Sequence, residues 1–217
     1  MKLLLTSAGI SNKSIEKAFF DLVGKPRKEI KVAYIPTAAN AETGDKWWMI
    51  EDLITLKNME LGQIDIVDIS AMPKKMMLGR LKEANVFFYE GGNTYHLMYW
   101  LEKTGLKELL PELLKTRVWI GVSAGSIAAG EKLSTFDERL YDEEIGEYKR
   151  NDGLGFVDFS IRPHLNNPDF PNATTEKVQN MTKNLETKLY FLDDQSAIVV
   201  DGNDIKIVSE GKWEKFE

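Results

Sequence analysis

Short apolar runs alternate with longer amphipathic stretches through the first 130 residues of the chain. The runs Lys2–Thr6, Ile30–Ile35, Ile64–Ile69, Asn85–Tyr89 and Arg117–Val122 are rich in Leu, Ile, Val and aromatic residues. Most are continuous rather than strictly alternating, the pattern of parallel strands covered on both faces. Between them, apolar residues recur at helical spacing near Ser14–Leu22, Asp45–Met59, Lys74–Ala84 and Asn93–Lys115. The last stretch divides into two helices, at Thr104-Gly105 or at Pro111. Alternating β and α elements predict an α/β fold, a doubly wound and mostly parallel sheet with right-handed crossovers.

Beyond Gly130 the pattern changes. Residues Glu131–Asn167 are charged and irregular, with short apolar pieces that read as hairpins or an excursion over the sheet edge. A helix is expected near Thr174–Thr187, followed by strands at Leu189–Leu192, Ser196–Val200 and Asp204–Val208. Asp201-Gly202-Asn203 is a hairpin turn signal, so the chain is expected to carry a C-terminal β-hairpin. With no repeat, linker or low-complexity segment, residues 1–217 read as a single domain.

Composition narrows the chemistry. A net charge of −6 and a pI near 5.2 argue against a nucleic-acid surface. No apolar stretch approaches membrane-spanning length, and the three leucines after Lys2 are too few for a secretion signal, so a cytoplasmic protein is expected. The chain has no cysteine, which leaves Ser, Thr, Lys or a carboxylate for any covalent catalysis. No set of His and acidic residues has metal-ligand spacing, so the expectation is a site without metal.

Gly121-Val122-Ser123-Ala124-Gly125 is a G-x-S-x-G segment between an apolar strand and a small-residue helix start. That context makes Ser123 a candidate nucleophile on a sharp turn, with the Ala124 amide directed at a developing oxyanion. The base would come from one of only two histidines, His96 or His164. His96 is fixed to a helix face, whereas Pro163-His164 lies in a loop-like setting, which favours His164. Adjacent Asp193 and Asp194 point to opposite faces of the strand end, so only one of them can orient the base. Asp137, Asp142, Asp152 and Asp158 are further candidates. Glu90-Gly91-Gly92-Asn93-Thr94 follows a strand and opens a helix, a place for the second oxyanion donor or for a phosphate.

Together, Gly91-Gly92-Asn93-Thr94, Trp119 to Ser126, Pro163-His164 and Asp193 to Ala197 resemble the peptidase E family of serine peptidases, itself similar to the cyanophycinases. The resemblance spans nearly the whole chain and implies a scaffold like that of the class I glutamine amidotransferases. The nucleophile there is cysteine; with serine here, glutaminase chemistry is disfavoured. The resemblance implies a Ser123–His164–Asp194 triad, with Asp193 as alternate, an oxyanion hole from the Gly92 and Ala124 amides, and no cofactor. It also implies small peptide substrates, dipeptides with N-terminal aspartate. The family's substrate-pairing arginine has no counterpart, and Arg162 and Lys177 are the candidate replacements. The competing readings are an acyl hydrolase or esterase using the same serine, a non-catalytic binder of an anionic small ligand, and a nucleotide-binding domain.

Overall fold

The computed structural model describes residues 1–133, 140–141, 148–182 and 188–217. The first half runs β1 (Lys2–Thr6), α1 (Lys13–Val23), β2 (Lys31–Ile35), α2 (Thr37–Asn40), α3 (Trp47–Asn58), β3 (Gln63–Ile66), α4 (Lys74–Glu83) and β4 (Val86–Tyr89). It continues with α5 (Thr94–Lys103), α6 (Leu110–Leu113), β5 (Val118–Val122) and α7 (Ala124–Ala129). Then follow β6 (Phe159–Arg162), α8 (Thr175–Met181), β7 (Lys188–Leu192), β8 (Ser196–Asp201), β9 (Asp204–Ser209) and β10 (Trp213–Phe216).

Seven strands form the main sheet in the order β3-β2-β4-β5-β1-β8-β9. The first five of these are mutually parallel, and β8 and β9 add the antiparallel hairpin. The pleat sorts side chains by parity. Leu3, Leu5, Phe87, Tyr89 and Trp119 face one core with residues of α4, α5 and α7. Leu4, Val86, Phe88, Val118 and Ile120 face the other, with Ile15 and Phe19 of α1 and Leu56 of α3. Both faces are therefore dry, which is why the central strands read as continuous apolar runs.

The second sheet, β10-β7-β6, was not expected from the sequence. The Leu189–Leu192 run belongs to it rather than to the main sheet: β7 pairs parallel with β6 and antiparallel with β10. Its own small core comprises Leu140, Leu165, Val178, Leu189 and Phe191. Among the described residues, no helix is long and apolar enough to cross a membrane.

Candidate active site

Three neighbouring strands of the main sheet deliver their carboxyl ends to one place. β1 leads into Ser7, β4 into the Glu90-Gly91-Gly92 loop and β5 into Ser123. This end of an open parallel sheet is where ligands gather. The parallel pair β6 and β7 of the second sheet contributes His164 and Asp194, each just past its own carboxyl end.

Ser123 occupies φ 44° and ψ −103°, a conformation that side chains other than glycine rarely adopt. Such a residue costs on the order of 1–3 kcal/mol and persists because its surroundings over-determine it. The Ser123 amide donates to Thr6 O at 3.1 Å, and its carbonyl accepts from the Ser126 and Ile127 amides at 2.9 Å. Ser126 Oγ lies 2.8 Å from Thr6 O and 2.9 Å from Gly121 O, tying the turn to β1. The flanking glycines allow the close approach: a Cβ at Gly121 would lie 2.6 Å from the Gly125 carbonyl carbon, and one at Gly125 would lie 2.3 Å from Tyr89 O.

His164 Nε2 lies 2.9 Å from Ser123 Oγ, and His164 Nδ1 lies 2.7 Å from Asp194 Oδ1. A carboxylate only accepts, so Nδ1 carries the proton and Nε2 turns its lone pair to the serine hydroxyl. Asp194 is held in turn by the Ser7 hydroxyl at 2.8 Å and by Asn167 Nδ2 at 2.5 Å. Burial alone would raise the Asp194 carboxyl. The bonds from His164, Ser7 and Asn167 outweigh it and hold the group below the usual carboxylate range. The Phe170 ring stacks on the imidazole with centroids 4.3 Å apart and planes 14° from parallel, and Tyr141 meets it edge-on.

Asp193 is turned away. Its carboxylate accepts from Gln195 N at 3.0 Å, Ser196 Oγ at 2.6 Å and the Lys212 amide, closing the turn between β7 and β8. Asp152 pairs with Arg150 and Lys107, and Asp158 with Lys188, all away from the imidazole. Asp137 and Asp142 lie outside the described residues. His96 is on α5, its amide capped by Asn93 Oδ1 at 2.8 Å.

Gly92 has φ 116°, and a Cβ there would lie 2.5 Å from the Ala38 carbonyl carbon, so the loop needs glycine. A Cβ on Gly91 would lie 3.4 Å from Ser123 Cβ, which puts this loop directly against the serine. The Ala124 amide is the first of α7 and has no carbonyl a turn below it to bond. The glycine loop and the start of α7 thus both lie next to Ser123.

A cavity of about 930 Å³ opens above Ser123, walled by the β1 and β4 loops, α3 and the segment after His164. Neither expected substrate cation lines it. Arg162 is 2% exposed on β6, its guanidinium donating to Ile161 O at 2.6 Å. Lys177 binds Pro171 O at 3.0 Å and Asn172 Oδ1 at 2.9 Å. The burial of Arg162 follows from β6 being covered on both faces, so that all four of its residues are buried, whereas His164 lies past the strand end at φ 63°. The sequence reading also missed Ser7, Asn167, Phe170 and Tyr141, none of which carries a local motif.

An α/β sheet with a serine–imidazole–carboxylate chain beyond its carboxyl edge defines a hydrolase. Residues 3–208 match peptidase family S51, and the chain belongs to that family; it is a peptidase. An uncharacterized peptidase of Listeria innocua is 26% identical over 175 residues, 80% of this chain and 82% of that protein. Peptidase E of Streptomyces coelicolor is 32% identical over 143 residues, 64% of this chain and 52% of that one. A solved structure assigned as a peptidase E protein of Listeria monocytogenes shares the fold at a TM-score of 0.80, with 23% identity over 97% of this chain and 98% of that chain.

Proposed function

We propose that the protein hydrolyses short peptides through an acyl-enzyme on Ser123. The observation that carries this reading is the continuous chain from Ser123 Oγ through His164 to Asp194, with links of 2.9 and 2.7 Å, at the floor of the cavity. His164 Nε2 takes the hydroxyl proton as Oγ attacks the carbonyl carbon. The Gly92 and Ala124 amides stabilise the charge that develops on the carbonyl oxygen. The imidazolium, held by Asp194, returns the proton to the leaving amine, and water repeats the sequence on the acyl-enzyme. A cavity of about 930 Å³ accommodates a peptide of a few residues rather than a folded protein.

The family resemblance adds the finer reading of dipeptides with N-terminal aspartate. That side chain would need a cation, and Lys46 is the one lysine or arginine that lines the cavity among the described residues. The test is product analysis by mass spectrometry over Asp-Leu, Glu-Leu, Asn-Leu and Ala-Leu, with Ser123→Ala as control. Cleavage that vanishes in the variant supports the acyl-enzyme, and the ranking of Asp-Leu decides the aspartyl reading. If the wild-type protein leaves the whole panel intact, short-peptide hydrolysis is refuted.

A further inference from the structure

The wall of the cavity carries the wrong charge for an acidic substrate. Glu42, Asp45, Glu51, Asp52 and Asp169 line it, against the single ammonium of Lys46. Among the described residues no three His, Asp or Glu side chains converge closely enough to hold a metal ion.

A second feature lies behind one of these acids. Glu90, the residue before the glycine loop, is fully buried with no exposed surface. One of its carboxyl oxygens accepts the Tyr34 hydroxyl and the other accepts the Gly91 amide at 2.8 Å. Its remaining partner is the carboxyl of Asp52, which packs against Gly9 in the turn after β1 and faces the cavity. No lysine, arginine or histidine nitrogen lies within 4.0 Å of either carboxyl among the described residues. Burial, and the proximity of each acid to its neighbours, raises both above the ordinary carboxylate range, the mark of acids lacking a counter-charge. Glu90 is sealed in the interior, and the half-buried Asp52 is the member of the pair that lines the cavity.

The aromatic wall completes the pattern. Trp47, Trp48, Tyr141 and Phe170 share the cavity with the acids, and Trp48 Cζ3 lies 3.7 Å from where a Gly91 Cβ would stand. Faces of tryptophan and tyrosine attract ammonium groups, the more so where water is excluded.

We propose that Asp52, backed by Glu90, is the counter-ion for an ammonium group on the N-terminal residue of the peptide, and so determines specificity. The inference rests on Ser123 as the reacting group only for which residue of the peptide lies beside the pair. The ammonium belongs either to the free α-amino group or to a lysine-type side chain.

The test reads binding in a protein unable to form the acyl-enzyme, so it stands apart from whether the wild type cleaves these peptides. Ser123→Ala is titrated calorimetrically with Ala-Leu, N-acetyl-Ala-Leu and N-acetyl-Lys-Leu. The expected result is that at least one of the two amines binds tenfold or more tightly than N-acetyl-Ala-Leu. Tight Ala-Leu identifies the α-ammonium, and tight N-acetyl-Lys-Leu identifies the side chain. Adding Asp52→Asn should reduce the advantage below threefold, and Glu90→Gln serves as the second variant should Asp52→Asn fail to fold. The proposal is overturned if N-acetyl-Ala-Leu binds as well as both amines, if none of the three binds, or if the advantage survives in every variant that folds.

Discussion

The Ser7 hydroxyl donates to Asp194 Oδ1 at 2.8 Å and accepts the backbone amide of His164 at the same distance. One side chain from the main sheet thus holds two residues from the second sheet in register with Ser123. Asp194 Oδ1 receives the imidazole Nδ1 as well, so Ser7 fixes both the acid and the backbone that carries the base. Ser7→Ala should leave the His164 amide without its partner, at a cost of roughly 1–3 kcal/mol for a buried donor. The expected kinetic signature is a kcat lowered about tenfold with KM nearly unchanged, because the bond positions the reacting groups rather than the peptide. Urea unfolding and steady-state kinetics on the same preparation check both parts. An unchanged kcat would show that the second sheet holds the imidazole without this tether.

Ser123→Ala should lower peptide hydrolysis by about 10⁴- to 10⁶-fold, with residual turnover from the oxyanion donors alone. A fluorophosphonate probe should add its mass to Ser123 in the wild type and to no residue in the variant. Labelling at another serine would place the reactive hydroxyl elsewhere.

Local signals made much of this legible in the sequence. Ser123 stood out because its strand, turn and helix are contiguous, and its glycines mark two backbone contacts, at Tyr89 and at Gly125 itself. His164 emerged by scarcity. Only the family resemblance prefers Asp194 to Asp193; local pattern leaves them open, because the choice depends on how β7 pairs with β6 and β10. β6 itself, Phe-Ser-Ile-Arg after a charged stretch, is too short to announce a strand. Arg162 illustrates the cost: it is close to His164 in sequence, yet β6 is covered on both faces and buries it. Ser7 and Asn167 act only through partners more than twenty residues away, which no local pattern records.

Gly92→Ala tests the proposed oxyanion loop. At φ 116° a Cβ would be driven to 2.5 Å from the Ala38 carbonyl carbon, so either α2 or the loop must move. Misplacing one donor is expected to lower kcat by roughly 10²- to 10³-fold while KM changes little. A transition-state analogue such as a boronic acid should lose affinity in parallel. Retained kcat would remove the Gly92 amide from the mechanism.

The two acid sites should push stability in opposite directions with pH. Asp194 is depressed in the folded protein, so its contribution is complete above the unfolded value of about 3.9 and is lost as pH falls through the folded one. Asp52 and Glu90 are raised, so the folded state keeps protons that the unfolded chain has released. Their contribution is complete below about pH 4, the unfolded range, and declines as pH rises through the folded values. Thermal melts at constant ionic strength should therefore show Asp194→Asn flattening the acid limb below pH 4. Glu90→Gln, which removes the second acid beside Asp52, should shrink the loss of Tm between pH 5.5 and pH 8. The ligand reverses that loss: an ammonium compound seated on Asp52 favours its charged form, so the gain in Tm it confers should grow with pH until Asp52 is ionised. A Tm gain that is flat across this range would mean that the ammonium binds without touching the pair.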